Sequence, residues 1–107
     1  MKLYGIKACD TCRKALKMLQ EAGHDVTFVD VRATPVAPDQ LAAFHETFGD
    51  KLINARSTTW RGLSDSDRAQ APLTLLAAHP TLMKRPVIDH DGTLYLGWAK
   101  DTQQALL

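Results

Sequence analysis

The sequence has few of the features that mark secreted, membrane-spanning or nucleic-acid-binding proteins. Its 107 residues include only two cysteines, too few for a disulfide framework. No apolar run approaches the roughly 20 residues of a membrane-spanning helix, and residues 1–6 are too broken by polar side chains for a signal peptide. Thirteen Lys and Arg residues against twelve Asp and Glu residues leave a formal charge of +1, which argues against binding nucleic acid or a membrane surface through bulk charge. We therefore expect a cytoplasmic protein with neither partner.

The composition is that of an ordinary globular domain. Hydrophobic residues make up 45% of the chain and charged residues 23%, which is typical of folded and not of disordered proteins. A chain of this size buries roughly two-thirds of its unfolded surface and holds a core without disulfides or metals. Because the sequence shows no repeat, low-complexity tract or linker, residues 1–107 are predicted to form a single domain.

The first third of the chain predicts a β-α-β unit. Strands are expected near residues 2–6 and 25–31, and between them apolar residues recur at helical spacing from Cys12 to Ala22. Gly23 follows where a helix commonly ends. A unit of this kind joins parallel strands through a right-handed crossover.

The rest of the chain predicts a helical insert followed by a hairpin and a last helix. Pro38 suits the first turn of a helix, and residues 38–83 are expected to be mostly helical. Asp91-Gly92 between apolar runs is a strong hairpin signal, so strands are expected near residues 86–89 and 94–97. The fold class is therefore α/β, with a mixed sheet.

Cys9-Asp10-Thr11-Cys12 is the most informative segment because it lies where the first strand leads into the first helix. Unpaired N–H groups and the positive end of a helix favour thiolate over thiol. Neighbouring cationic residues, Lys7 among them, act in the same direction, whereas Asp10 opposes them. Cys12 lies on the apolar stripe of the helix. These positions make Cys9 the exposed nucleophile and Cys12 a covered partner that can resolve a mixed disulfide.

Other chemistries fit the two cysteines less well. A zinc site needs four ligands, and the histidines at 24, 45, 79 and 90 show no paired spacing, so no metal is expected. Nothing in the sequence places a histidine and an orienting group beside a cysteine, as a Cys–His hydrolase requires. We therefore interpret the cysteine pair as a redox site and not as two unrelated free cysteines.

Three segments carry a resemblance to a known family. They are YGIKACDTCRK (residues 4–14), LINARS (52–57) and HPTLMKRP (79–86). Together they resemble the arsenate reductase (ArsC)/Spx family, and within it the YffB-type branch. The resemblance extends over essentially the whole chain. It implies a thioredoxin-like fold with a helical insertion between the second and third strands.

The resemblance also implies roles for individual residues. Cys9 matches the nucleophile of the glutaredoxin-coupled arsenate reductases, and Arg56 and Arg85 match two of the three arginines that hold the oxyanion. Pro86 matches a proline, usually cis, that faces the active cysteine in thioredoxin-like folds. The position of the third arginine falls at or near Gly97, a departure that weakens an arsenate site. The Cys12 position is usually serine in those reductases, which is a second departure.

The resemblance and the cysteine pair together predict a small thiol/disulfide oxidoreductase without a bound cofactor. Glutathione is the expected co-substrate, with Arg56 and Arg85 binding its carboxylates and Lys7 assisting. Glutaredoxin and thioredoxin are further candidate partners. Two alternatives stay open: an arsenate reductase acting on the oxyanion, and an Spx-like redox-sensing regulator that binds RNA polymerase. The chain ends directly after the predicted last helix, so we expect it to lack the additional C-terminal segment of Spx regulators.

Overall fold

A four-stranded mixed sheet organises the first of two units into which the chain divides. In the computed structural model, which describes all of residues 1–107, this unit comprises Met1–Val31 and Arg85–Leu107. Its strands are β1 (Lys2–Gly5), β2 (Thr27–Asp30), β3 (Val87–His90) and β4 (Thr93–Leu96). Their order is β2-β1-β3-β4, with β1 parallel to β2 and antiparallel to β3, and β3 antiparallel to β4.

Helix α1 (Asp10–Glu21) connects the parallel pair β1 and β2, which confirms the predicted β-α-β unit. The helix is amphipathic, and Cys12, Ala15 and Leu19 are its buried residues. Gly23 follows the C-cap residue Ala22, and its φ of +94° lies in the left-handed region that glycine adopts readily.

The predicted hairpin joins β3 to β4 through a tight turn. Asp91 and Gly92 both have positive φ, 52° and 86°, which suits the right-handed twist of the strands. The last helix, α6 (Lys100–Leu106), follows β4, and the ring Nε2 of His24 donates to the carbonyl oxygen of Leu106 at 2.6 Å. Seven buried residues form the core of this unit: Leu3, Cys12, Ala15, Leu19, Ile88, Trp98 and Leu106.

The second unit, Arg32–Lys84, is helical. It contains α2 (Pro38–Phe48), α3 (Thr58–Arg61), α4 (Asp65–Arg68), α5 (Pro72–Ala78) and two 3₁₀ turns, Gly49–Leu52 and Pro80–Leu82. Proline opens α2 and α5, where the missing N–H costs no hydrogen bond. The core of the unit consists of Leu41, Phe44, Leu52, Leu75, Leu76, Leu82 and Met83.

Two short helices of this unit depend on serine caps. The hydroxyl oxygen of Ser57 accepts a hydrogen bond from the Trp60 N–H at 3.1 Å, and that of Ser64 accepts one from the Asp67 N–H at 3.2 Å. Both helices lie within residues 38–83, which were predicted to be mostly helical. The observed order of elements confirms an α/β fold with a helical insertion between the second and third strands. None of the helices has the length and apolar character needed to cross a membrane.

Candidate active site

Cys9 lies at the N-cap of α1, immediately after the turn that follows β1. The turn is closed by the Cys9 N–H, which donates to the Ile6 carbonyl oxygen at 3.0 Å, and the Arg13 N–H donates to the Cys9 carbonyl oxygen at 3.0 Å. The residue is partly exposed. Its thiol therefore stands at the positive end of a 12-residue helix, where a negative charge is stabilised.

The surroundings of Cys9 favour its thiolate. Burial by itself would raise the pKa of the Cys9 thiol, but the backbone N–H of Cys12, the Cys12 thiol and the Arg85 guanidinium together lower that pKa below its ordinary value of 9.0. Arg85 contributes both a hydrogen bond to the sulfur and its positive charge. A larger fraction of Cys9 is consequently ionised at neutral pH than of an ordinary cysteine.

Cys12 has the opposite character. It is fully buried in the core of the first unit, and burial, together with the negative charge of Cys9, raises the pKa of its thiol to about 11. The backbone hydrogen bond with Ile6 and the positive charge of Arg85 lower the pKa of Cys12, but they do not offset these effects. The two sulfurs of the motif therefore differ in ionisation and in access to solvent. Cys9 stands at the end of the helix, whereas Cys12 lies one turn further along it.

Arg85 and Pro86 lie directly before β3. The peptide bond between them is cis, as the resemblance implied, and Pro86 is fully buried. The Pro86 carbonyl oxygen accepts a hydrogen bond from the Gly97 N–H at 2.8 Å. Because β3 pairs with β1, the segment before β3 lies beside the end of β1 and brings Arg85 to Cys9.

Other charged residues near the motif have different partners. The Arg13 side chain pairs with the Asp10 carboxylate, so these two opposite charges largely compensate each other. The backbone N–H of Lys7 donates to the Asp30 carboxylate at 3.1 Å, and its side chain is not among the groups that shift the pKa of Cys9. The predicted assistance of Lys7 in binding an anion stays a prediction.

Arg56 belongs to the second unit. Its N–H donates to the Asn54 side-chain oxygen at 3.1 Å, and its side chain is exposed. Arg56 lines an open cavity of about 470 Å³ together with Lys51, Ile53, Asn54, Ala55 and Lys84. Sequence reasoning did not single out the two lysines, because residues so far apart in the chain give no local signal of a shared cavity.

Gly5 is a third residue that the sequence patterns did not identify. A Cβ atom at this position would lie 2.6 Å from Sγ of Cys12, far inside van der Waals contact, so only glycine fits without a shift of the helix or the strand. The available signal was a glycine at the end of a β-strand, a position that commonly marks close approach of another part of the chain. No three His, Cys, Asp or Glu side chains lie close enough together to hold a metal ion.

The chain is similar over nearly its whole length to one protein family and to individual relatives. The ArsC family model matches residues 4–106. An uncharacterized protein of Haemophilus influenzae is 40% identical over 109 aligned residues, which cover 96% of this chain and 95% of that protein. The global transcriptional regulator Spx of Bacillus subtilis is 31% identical, with 92% of this chain and 80% of the regulator covered.

Two solved structures have the same fold. A YffB protein superimposes with a TM-score of 0.90 and 32% identity, covering 99% of this chain and 97% of its own. An arsenate reductase from Vibrio cholerae superimposes with a TM-score of 0.78 over 100% of this chain and 98% of its own, at 18% identity. The second likeness shows the fold alone. Both confirm the thioredoxin-like fold expected from the sequence.

Proposed function

The chain belongs to the ArsC family, and on that premise we propose that it is a small thiol/disulfide oxidoreductase that depends on glutathione. One observation carries the proposal. Cys9 combines partial exposure, a helix N-terminus and the Arg85 guanidinium, all of which favour a reactive thiolate. Cys12 is fully buried and lies inside the helix and not at its N-cap. The chemistry therefore begins at Cys9.

The proposed reaction consists of two thiol–disulfide exchanges. In the first, the Cys9 thiolate attacks the glutathione sulfur of a mixed disulfide, a Cys9–glutathione disulfide forms, and the substrate leaves as a thiolate that takes a proton from water. In the second, a glutathione thiolate from solution attacks the glutathione sulfur bound to Cys9. Glutathione disulfide leaves and the Cys9 thiolate is regenerated. In the net reaction, the mixed disulfide and one glutathione thiol become the free substrate thiol and glutathione disulfide.

Cys12 offers a second route for the resolving step. Its thiolate would attack the sulfur of Cys9, release glutathione and leave a Cys9–Cys12 disulfide, which then needs a dithiol donor such as glutaredoxin or thioredoxin. Because burial raises the pKa of Cys12 to about 11, few molecules hold this sulfur as a thiolate at neutral pH. Glutathione from solution is therefore the faster route. Glutathione, glutaredoxin and thioredoxin act as donors in a reducing compartment, so the proposed reaction implies a cytoplasmic location.

The Spx relative favours a second candidate function. In a redox-sensing regulator, Cys9 and Cys12 would form a switch, and the protein would act by binding RNA polymerase and not by turnover. The same cysteine pair serves both functions, so the motif alone does not separate them. Turnover with a small disulfide separates them, because a regulator needs no catalytic cycle.

The test is a coupled assay of glutathione turnover with a model glutathione mixed disulfide, run in parallel with arsenate. We expect turnover of the mixed disulfide, none for Cys9→Ser, and at least partial activity for Cys12→Ser, since glutathione resolves the intermediate from solution. Matched reactions replace glutathione with thioredoxin or glutaredoxin. Circular dichroism of each variant shows that it is folded.

Three outcomes contradict the proposal. An active Cys9→Ser protein would mean that the chemistry belongs to another sulfur. Turnover of arsenate in preference to the mixed disulfide would identify an arsenate reductase. Absence of turnover with every donor, together with co-purification of RNA polymerase, would identify the regulator.

A further inference from the structure

We propose that Lys51, Arg56 and Lys84 form a binding site for an extended organic anion that carries at least two carboxylates. The three side chains line the open cavity of about 470 Å³ in the second unit. The inference rests on the proposed function in one respect, namely that the thiol co-substrate is the molecule expected to carry these carboxylates.

A short antiparallel bridge brings these residues together although they are far apart in the chain. Ile53 pairs with Met83 as an isolated bridge. On either side of it, the Asn54 N–H donates to the Leu82 carbonyl oxygen at 2.8 Å, and the Lys84 N–H donates to the Leu52 carbonyl oxygen at 2.7 Å. The bridge is anchored by buried Leu52, Leu82 and Met83. The backbone that presents the cations is therefore fixed by the core.

The loop that carries Arg56 is held from within. The Asn54 side chain accepts a hydrogen bond from the Arg56 N–H at 3.1 Å, and the Asn54 carbonyl oxygen accepts one from the Ser57 hydroxyl at 2.8 Å. The guanidinium of Arg61, in α3, donates to the Arg56 carbonyl oxygen at 2.8 Å and places a further positive charge beside the loop. A preorganised loop loses little entropy when a ligand binds.

The charges in the cavity have no partners of opposite sign. The ion pairs of the protein involve other residues, and no Asp or Glu lines the cavity. Like charges that share a cavity repel each other, and a bound anion relieves that repulsion. Arg56 offers a planar fork that matches a carboxylate, whereas each lysine offers a point charge.

The size of the cavity indicates the class of ligand. Its volume lies within the range of about 300–1,000 Å³ that small-molecule sites occupy. A single tetrahedral oxyanion such as arsenate or phosphate is far smaller and fills only a small part of this volume. An elongated molecule with more than one carboxylate fits the volume and the presence of three cationic residues in the lining.

The experiment is an NMR titration of the full ¹⁵N-labelled chain with S-methylglutathione, which has two carboxylates and no free thiol. Its diethyl ester and inorganic phosphate serve as comparison ligands. We expect amide shifts centred on residues 51–56 and on Lys84, with much weaker binding of the diester and of phosphate. Lys51→Gln and Lys84→Gln should each weaken binding about two- to fivefold, the range for an exposed ion pair. Lys100→Gln, an exposed lysine outside the cavity, is the matched control.

Several results would overturn the inference. Equal affinity for the diester would show that carboxylates are not recognised, and equal or tighter binding of phosphate at the same amides would show a general anion site. The same loss of affinity in Lys100→Gln would reveal unspecific electrostatics. Since S-methylglutathione takes part in no exchange, binding is independent of turnover. A protein that turns over but does not bind here refutes this inference alone, and one that binds here without turnover refutes only the proposed function.

Discussion

A Cβ atom on Gly5 would lie 2.6 Å from Sγ of Cys12 and 3.1 Å from its Cβ. The end of β1 therefore runs directly against the first turn of α1, with no side chain between them. This contact closes the space around the Cys12 sulfur, which is fully buried. The contrast between Cys12 and the partly exposed Cys9 thus depends in part on a glycine in the strand.

Gly5→Ala should destabilise the protein by about 1–3 kcal/mol, the usual cost of overpacking. Denaturant unfolding measures the change in free energy. Cys12→Ala in the same chain removes the sulfur and should recover part of the loss, so the two substitutions should be non-additive. Gly62→Ala is the control, because a Cβ there meets only ordinary contacts of 3.5 and 3.6 Å. A Gly5→Ala protein as stable as the parent would show that the contact is easily relieved.

Cys9 should react with iodoacetamide much faster than Cys12 at and below neutral pH. The pKa of Cys9 is lowered and the sulfur is accessible, whereas Cys12 is buried and burial raises its pKa to about 11. Timed labelling followed by mass-spectrometric assignment measures both rates. Labelling in concentrated guanidinium chloride, where the protein is unfolded, should make the two rates similar. Equal rates in the native protein would contradict the assignment.

Arg85→Gln should raise the pKa of Cys9 toward its ordinary value, because the substitution removes both a hydrogen bond to the sulfur and a positive charge. The measurement is the pH dependence of Cys9 alkylation. Arg85→Lys keeps the charge but loses the planar fork, and should give an intermediate profile. Arg13→Gln is the control, since that side chain pairs with Asp10. Similar shifts in Arg13→Gln and Arg85→Gln would mean that only overall charge matters.

The free energy of unfolding should fall as the pH rises from 9 to 11. The pKa of Cys12 is about 11 in the folded protein against 9.0 ordinarily, so the stability it contributes is fully present below pH 9. That contribution, about 2–3 kcal/mol, is lost as the pH rises through this window, because the unfolded chain ionises first. Cys12→Ala should show a flatter profile over the same range. The same pH dependence of the unfolding free energy in both proteins would show that a group other than Cys12 causes the fall.

Gly97→Arg should not convert the protein into an arsenate reductase, although it restores an arginine where the family resemblance expects one. Gly97 has a φ of +81°, and a residue with a Cβ atom in this conformation costs about 1–2 kcal/mol. Thermal unfolding and an arsenate assay measure the two effects. Gly97→Asn should cost less, because asparagine tolerates positive φ. A Gly97→Arg protein with unchanged stability and arsenate turnover would contradict this expectation.

Local patterns in the sequence predicted most of the elements. The helical spacing after Cys9, the glycine at 23 and the Asp91-Gly92 turn each involve neighbours along the chain, and the structure has α1 and the β3–β4 hairpin where these patterns placed them. Helix α3 lies within the region 38–83 that was predicted to be mostly helical, but no pattern predicted it individually, because its four residues are too few to show a period and its cap is a single serine, Ser57.

The sequence by itself determined the α/β class, the place of Cys9 at the end of a helix and the burial of Cys12, because propensity, apolar spacing and glycine positions act over a few residues. Only the tertiary structure decided which distant groups surround them. The pairing of β3 with β1 brings Arg85 to Cys9, the approach of β1 to α1 demands glycine at position 5, and the Ile53–Met83 bridge unites Lys84 with Lys51 and Arg56. Contacts of this kind depend on strand register and core packing, which no local pattern of residues specifies.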